Sequence, residues 1–89
     1  MRMKGRHMTR YATDTVYAAA KTAFTGMRFG DNEQYVDSKS QQFVERCRKF
    51  DGDETEDMIS LDAIEDAVFD SFDPYFSAQF YSRLESLSR

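Results

Sequence analysis

The chain predicts an all-α fold, a small three- or four-helix bundle, on three observations. Apolar residues recur at three- and four-residue steps over four separate stretches. Helix-stopping residues, Gly26, Gly30, Asp51-Gly52 and Asp73-Pro74, fall between those stretches. No stretch shows the apolar–polar alternation of a half-buried strand, and there is no internal repeat or low-complexity segment.

The first predicted helix runs from Thr13 to about Gly26. Val16, Tyr17, Ala20, Ala23, Phe24 and Met27 form its apolar stripe, Thr13 is the candidate N-cap, and Gly26 or Gly30 stops it. Arg28 to Asn32 connects it to a second helical pattern built from Tyr35, Val36, Phe43, Val44, Cys47 and Phe50. The start of that helix has two solutions, because Asp37-Ser38-Lys39-Ser40 also holds good capping residues. Asp51-Gly52 ends it, and the acidic run to Asp57 reads as a solvated loop. Ser60 caps a third helix with Leu61, Ile64, Val68 and Phe72 on one face. The fourth opens with Asp73 as N-cap and Pro74 at its first position, then carries Phe76, Phe80, Leu84 and Leu87 to the C-terminus.

Eighty-nine residues allow one core and leave little room for a cleft walled by the chain itself. Eight Phe and five Tyr supply the bulk of that core, with a thin stability margin that oligomerisation would widen. The domain is expected over residues 11–89, with residues 1–10 a basic arm. His7-Met8 reads either as native sequence or as the scar of a cloning site, which would make Met8 the first native residue. One cysteine excludes an internal disulfide. No apolar run reaches the roughly 20 residues that span a bilayer, and the basic opening lacks a signal peptide's apolar stretch. A cytoplasmic location is expected.

Charge is the most informative feature. The formal net is −4, yet Arg2, Lys4, Arg6 and Arg10 all lie in the first ten positions, which hold no acid. Residues 11–89 therefore set 16 acids against 8 bases, a net of −8. Between Asp51 and Ser82 stand ten acids, Asp51, Asp53, Glu54, Glu56, Asp57, Asp62, Glu65, Asp66, Asp70 and Asp73, with no Lys or Arg among them. A field of one sign repels nucleic acid and draws basic surfaces. With Asp62 at zero on a helical wheel, Asp66, Asp70 and Asp73 fall at roughly 40°, 80° and 20° and Glu65 at roughly −60°. The acids share one face, opposite the apolar stripe, about 6 Å apart per turn, close to the step between phosphates along a nucleic-acid strand. Set against this, a row of carboxylates is also what an ordinary solvated helix face looks like.

Other chemistry is weakly supported. Asp51 to Asp62 resembles a twelve-residue calcium loop, but position 6 is Glu56 where the turn needs Gly, and position 12 is Asp62 where a bidentate Glu belongs. His7 and Cys47 are far apart, with Cys47 on the apolar side of a helix. No phosphate-binding Gly loop or metal-ligand spacing occurs. No enzyme, cofactor or metal is expected. Tyr75, Phe76, Phe80 and Tyr81 crowd the last helix on more than one face, which points to self-association or to an adaptor- or antitoxin-like interaction module acting through that helix. Direct nucleic-acid binding through the basic arm and Arg46, Arg48 and Lys49 is a third possibility, opposed by the −8 of the rest.

Two segments, Val16-Tyr17 to Met27-Arg28-Phe29-Gly30-Asp31 and Asp62-Ala63-Ile64 with Ala67, Pro74, Ala78, Phe80 and Ser82, resemble the overcome-classical-restriction protein of T7-like phages. That family consists of acidic helical dimers that imitate B-form DNA and block type I restriction enzymes. The chain departs from it in being shorter, in lacking the acidic C-terminal tail, and in its basic Arg46-Arg48-Lys49 patch. The resemblance implies that Asp62, Glu65, Asp66, Asp70 and Asp73 stand in for phosphates, with Asp51 to Asp57 extending the row. The expected function is thus a phage-type or mobile-element inhibitor that occludes the basic groove of a restriction enzyme or CRISPR effector.

Overall fold

Each predicted helix forms where the periodicity places it. A computed structural model describes residues 9–52, 57–71 and 73–88. In chain order its elements are β1 (Arg10–Ala12), α1 (Thr13–Thr25), α2 (Glu33–Asp51), β2 (Met58–Ser60), α3 (Leu61–Ser71) and α4 (Pro74–Leu87). The described residues form a four-helix bundle with one short antiparallel strand pair.

The helix ends follow the local chemistry. Asn32 caps α2 by accepting the Tyr35 amide, 3.0 Å, so the earlier of the two possible starts is the one used. Gly52 closes α2 in the left-handed conformation, φ 82°, which a residue with a Cβ adopts only under strain. Ser60 caps α3 through the Ala63 amide, 3.2 Å, and Asp73 caps α4 through the Phe76 amide, 3.1 Å, with Pro74 where no donor is needed. Thr13 is not the α1 cap. Ala12 holds that position, and the Thr13 hydroxyl donates instead to the Asp57 carbonyl, 2.9 Å.

The strand pair overturns the expectation of no strands. Arg10 faces Ser60, Tyr11 faces Ile59 and Ala12 faces Met58, so Arg10 belongs to the folded domain, not to an arm. Three residues are too few for alternation to register in the sequence. Pairing depends on a partner strand 46–50 positions away, and on flanking bonds from the Thr13 amide to the Asp57 carbonyl, 2.7 Å, and from the Leu61 amide to the Thr9 carbonyl, 3.1 Å. Ile59 is turned fully into the core.

α1 is the central element, packed on α4 and α2, while α2 packs on α3. Its buried face is Val16, Ala19, Ala20 and Ala23, small enough for neighbouring helices to approach closely. Beyond the alanines, Phe43 of α2 meets Phe76 and Phe80 of α4, each at 5.0 Å between ring centres, and Phe24 of α1 meets Phe76 at 4.6 Å. Burial of each such ring stabilises the fold by about 1.5–3 kcal/mol. Phe72, expected on the α3 stripe, lies outside the described residues.

Candidate functional site

The ten acids do not act as one row. Asp51 is the last residue of α2, and its side chain is only 6 % exposed. It accepts the Ser60 hydroxyl at 2.7 Å and the Ser60 amide at 3.4 Å, and stands 4.0 Å from Arg10 Nη1. Since Ser60 in turn caps α3, this carboxylate ties the end of α2, both strands and the start of α3 together. It is a structural clasp and not part of a presented surface. Asp73 is likewise engaged as the α4 cap. Asp53, Glu54 and Glu56 lie outside the described residues.

The acids that remain divide into two groups. Asp57, just ahead of β2, and Glu65 are exposed, and Asp62 is partly so. These three occupy the strand end and first turns of α3. Asp66 and Asp70 turn toward α2, where with Phe50 and Phe69 they line a shallow groove. Asp70 pairs with Arg46 Nη1, and the groove continues along Gln42, Glu45, Arg48 and Lys49. The basic patch noted in the sequence therefore lies directly beside the second group of acids, so this part of the face carries both signs of charge.

Phe69 is not among the residues that the sequence pattern marks for a site. It is 80 % exposed, the most exposed large apolar residue among those described, and Phe50 across the groove is 45 % exposed. The signal was present, because on the wheel that groups the acids Phe69 falls roughly 20° from Asp62, on the polar face. Of the aromatic surface expected on α4, only Tyr75 and part of Tyr81 reach the solvent. Phe76 and Phe80 are core residues, and Tyr81 is half-buried with its ring 5.4 Å from Phe80. Burial, helped by the nearby Glu65 carboxylate, pushes the Tyr81 phenol up to about 12. Tyr75 is half-exposed and donates to the Gly26 carbonyl, 2.9 Å, fastening α4 to the end of α1.

Cys47 is fully buried, and desolvation raises its thiol to about 12, so it is held as the unreactive neutral form at physiological pH. Between α1 and α2 Asp37 accepts the Tyr17 hydroxyl at 3.2 Å and pairs with Lys21 at 3.1 Å. Burial and the Asp37 carboxylate raise the Tyr17 phenol, and Asp37 raises the Lys21 ammonium. Among the described residues no group of three or more His, Cys, Asp or Glu is placed to hold a metal ion. No described helix is long and apolar enough to cross a membrane.

No protein-family model, curated protein or solved structure matches the chain.

Proposed function

We propose that the chain is a phage-type or mobile-element inhibitor, which sets the acidic start of α3 into the nucleic-acid groove of a host restriction enzyme, CRISPR effector or other DNA-binding protein. The observation that carries this reading is the outward placement of Asp57, Asp62 and Glu65 on a segment with no Lys or Arg from Asp51 to Ser82. Carboxylates on successive turns of α3 lie about 5–6 Å apart along the axis, a spacing that basic side chains arranged for phosphates can meet. The mechanism is occlusion. The acidic field accelerates encounter with a basic groove, and the bound chain then excludes nucleic acid from it.

The test is capture of partners from host lysate on the tagged chain at low and high salt, with and without duplex DNA as competitor. A nucleic-acid enzyme that is recovered at low salt, lost at high salt and displaced by DNA supports the proposal. The double variant Asp62→Asn/Glu65→Gln should retain the fold by circular dichroism and lose the partner. Recovery of a salt-resistant partner that has no nucleic-acid site, or an unimpaired double variant, would sink it.

A further inference from the structure

Phe69 adds almost nothing to the core, yet it stands on the same face of α3 as the acids of its first turns. The ring is 80 % exposed, Glu65 is exposed and Asp62 partly so. On the helical wheel the three fall within about 60° of one another, with Phe69 between the two carboxylates. Along the axis Glu65 precedes the ring by four residues, about 6 Å, and Asp62 by seven, about 10.5 Å. Asp70, next in the chain, pairs with Arg46, which sets the ring at the border between the acidic start of α3 and the mixed-charge groove walled by Phe50. The surface is thus a short row of carboxylates that ends in a flat apolar ring of about 150–250 Å², held out from the helix.

Two kinds of basic groove receive such a surface differently. A groove that reads duplex DNA meets base edges inside the stack and has no slot for a projecting ring. A groove that holds unpaired or flipped bases sets its phosphate-binding cations beside aromatic or guanidinium planes on which the bases stack. We propose that Phe69 takes the place of an unpaired base, and that the partner is a nucleic-acid protein whose basic groove contains a base-stacking pocket. This rests on the inhibitor reading above and narrows its partner from any nucleic-acid groove to one built for unstacked bases. The carboxylates of Asp62 and Glu65 meet the cations that hold the strand, and the Phe69 ring leaves water by lying on the stacking plane one turn further on.

Capture on the tagged full chain at low salt tests this, with three variants and three competitors. Phe69→Ala and Phe69→Leu should each weaken capture of the nucleic-acid partner by about five- to 150-fold with an unchanged circular dichroism spectrum, the range that loss of one stacked base contact gives. Phe69→Tyr should capture like the parent, since stacking needs a planar ring and not apolar bulk alone. The competitors are oligothymidylate of about 16 nucleotides, an abasic strand of the same length, and duplex DNA. Counted per phosphate, oligothymidylate should release the partner at a concentration at least about tenfold below the other two. The proposal is overturned by Phe69→Ala capturing like the parent, by Phe69→Leu replacing the ring without loss, or by the abasic strand or the duplex competing as well as oligothymidylate. If Asp62→Asn/Glu65→Gln still abolishes capture in those cases, the inhibitor reading stands without it. Recovery of no partner with a nucleic-acid site removes both.

Discussion

The inner faces of α1, α2 and α4 and the outer face of α2 and α3 both carry phenylalanine, and the two regions use it in opposite ways. Phe24, Phe43, Phe76 and Phe80 meet one another ring to ring, and the last three are almost wholly buried. Phe69 stands in water and Phe50 is half-exposed, both among Arg46, Lys49, Asp66 and Asp70. An aromatic ring stabilises a fold only where neighbours remove it from solvent. In the first region three helices do so, whereas in the second Phe69 is left 80 % exposed and Phe50 45 % exposed. The contrast separates the residues that make this protein fold from those available to bind.

The contrast breaks most visibly at Phe80. Phe80→Ala empties the middle of the aromatic group and should cost about 3–5 kcal/mol, a large share of the stability of so small a domain. Urea denaturation followed by circular dichroism measures it, and a loss below about 1 kcal/mol would show that the inner rings do not carry the fold.

Alkaline pH should act on the same region. The Cys47 thiol rises from 9.0 to about 12 and the Tyr81 phenol from 10.0 to about 12, both chiefly by burial. Because the unfolded chain gives up these protons first, it binds fewer of them than the native state once the pH passes 9. Their contribution is thus complete below pH 9 and is lost as the pH climbs toward 12. Urea midpoints measured from neutral pH upward should fall over that window, and Cys47→Ala should flatten the lower part of the fall.

At the boundary between the regions, Asp51→Ala removes the acceptor for the Ser60 hydroxyl and should cost about 1–2 kcal/mol. The loss should be accompanied by faster amide exchange at Tyr11 and Ile59, the paired strand residues. On the outer face a double-mutant cycle on Arg46 and Asp70 should return only about 0.2–1 kcal/mol and shrink with added salt, as for any half-exposed ion pair. Smallest of all, Phe69→Ala should change the stability of the chain by no more than about 0.5 kcal/mol while weakening capture of the partner. A large stability loss there would mean that Phe69 belongs to the fold after all.

Much of this architecture was legible in the residues. Asp73-Pro74, Ser60 and Asp51-Gly52 mark helix ends through short-range chemistry that needs nothing beyond adjacent positions, and each acts as expected. Cys47 and the Val16–Ala20–Ala23 stripe are buried because a 3.6-residue period fixes which side of a helix they share. The acidic face was legible only as a face. Helical spacing puts Asp62, Asp66, Asp70 and Phe69 on the outer side of α3, but does not say that α2 brings Arg46 to Asp70 and Phe50 to Phe69.

What the sequence by itself determined is therefore what neighbours within about a turn govern: the helical stretches, the stop of α2, the caps of α3 and α4, the apolar stripes and an acidic half. Tertiary structure alone decided the strand pair between residues 10–12 and 58–60, the use of Asp51 as a clasp, the meeting of Phe43 with Phe76 and Phe80, and the pairing of Arg46 with Asp70. The reason is physical. Burial and ion pairing depend on which surfaces meet, and those meetings join residues of different elements, across connections that no helical periodicity spans.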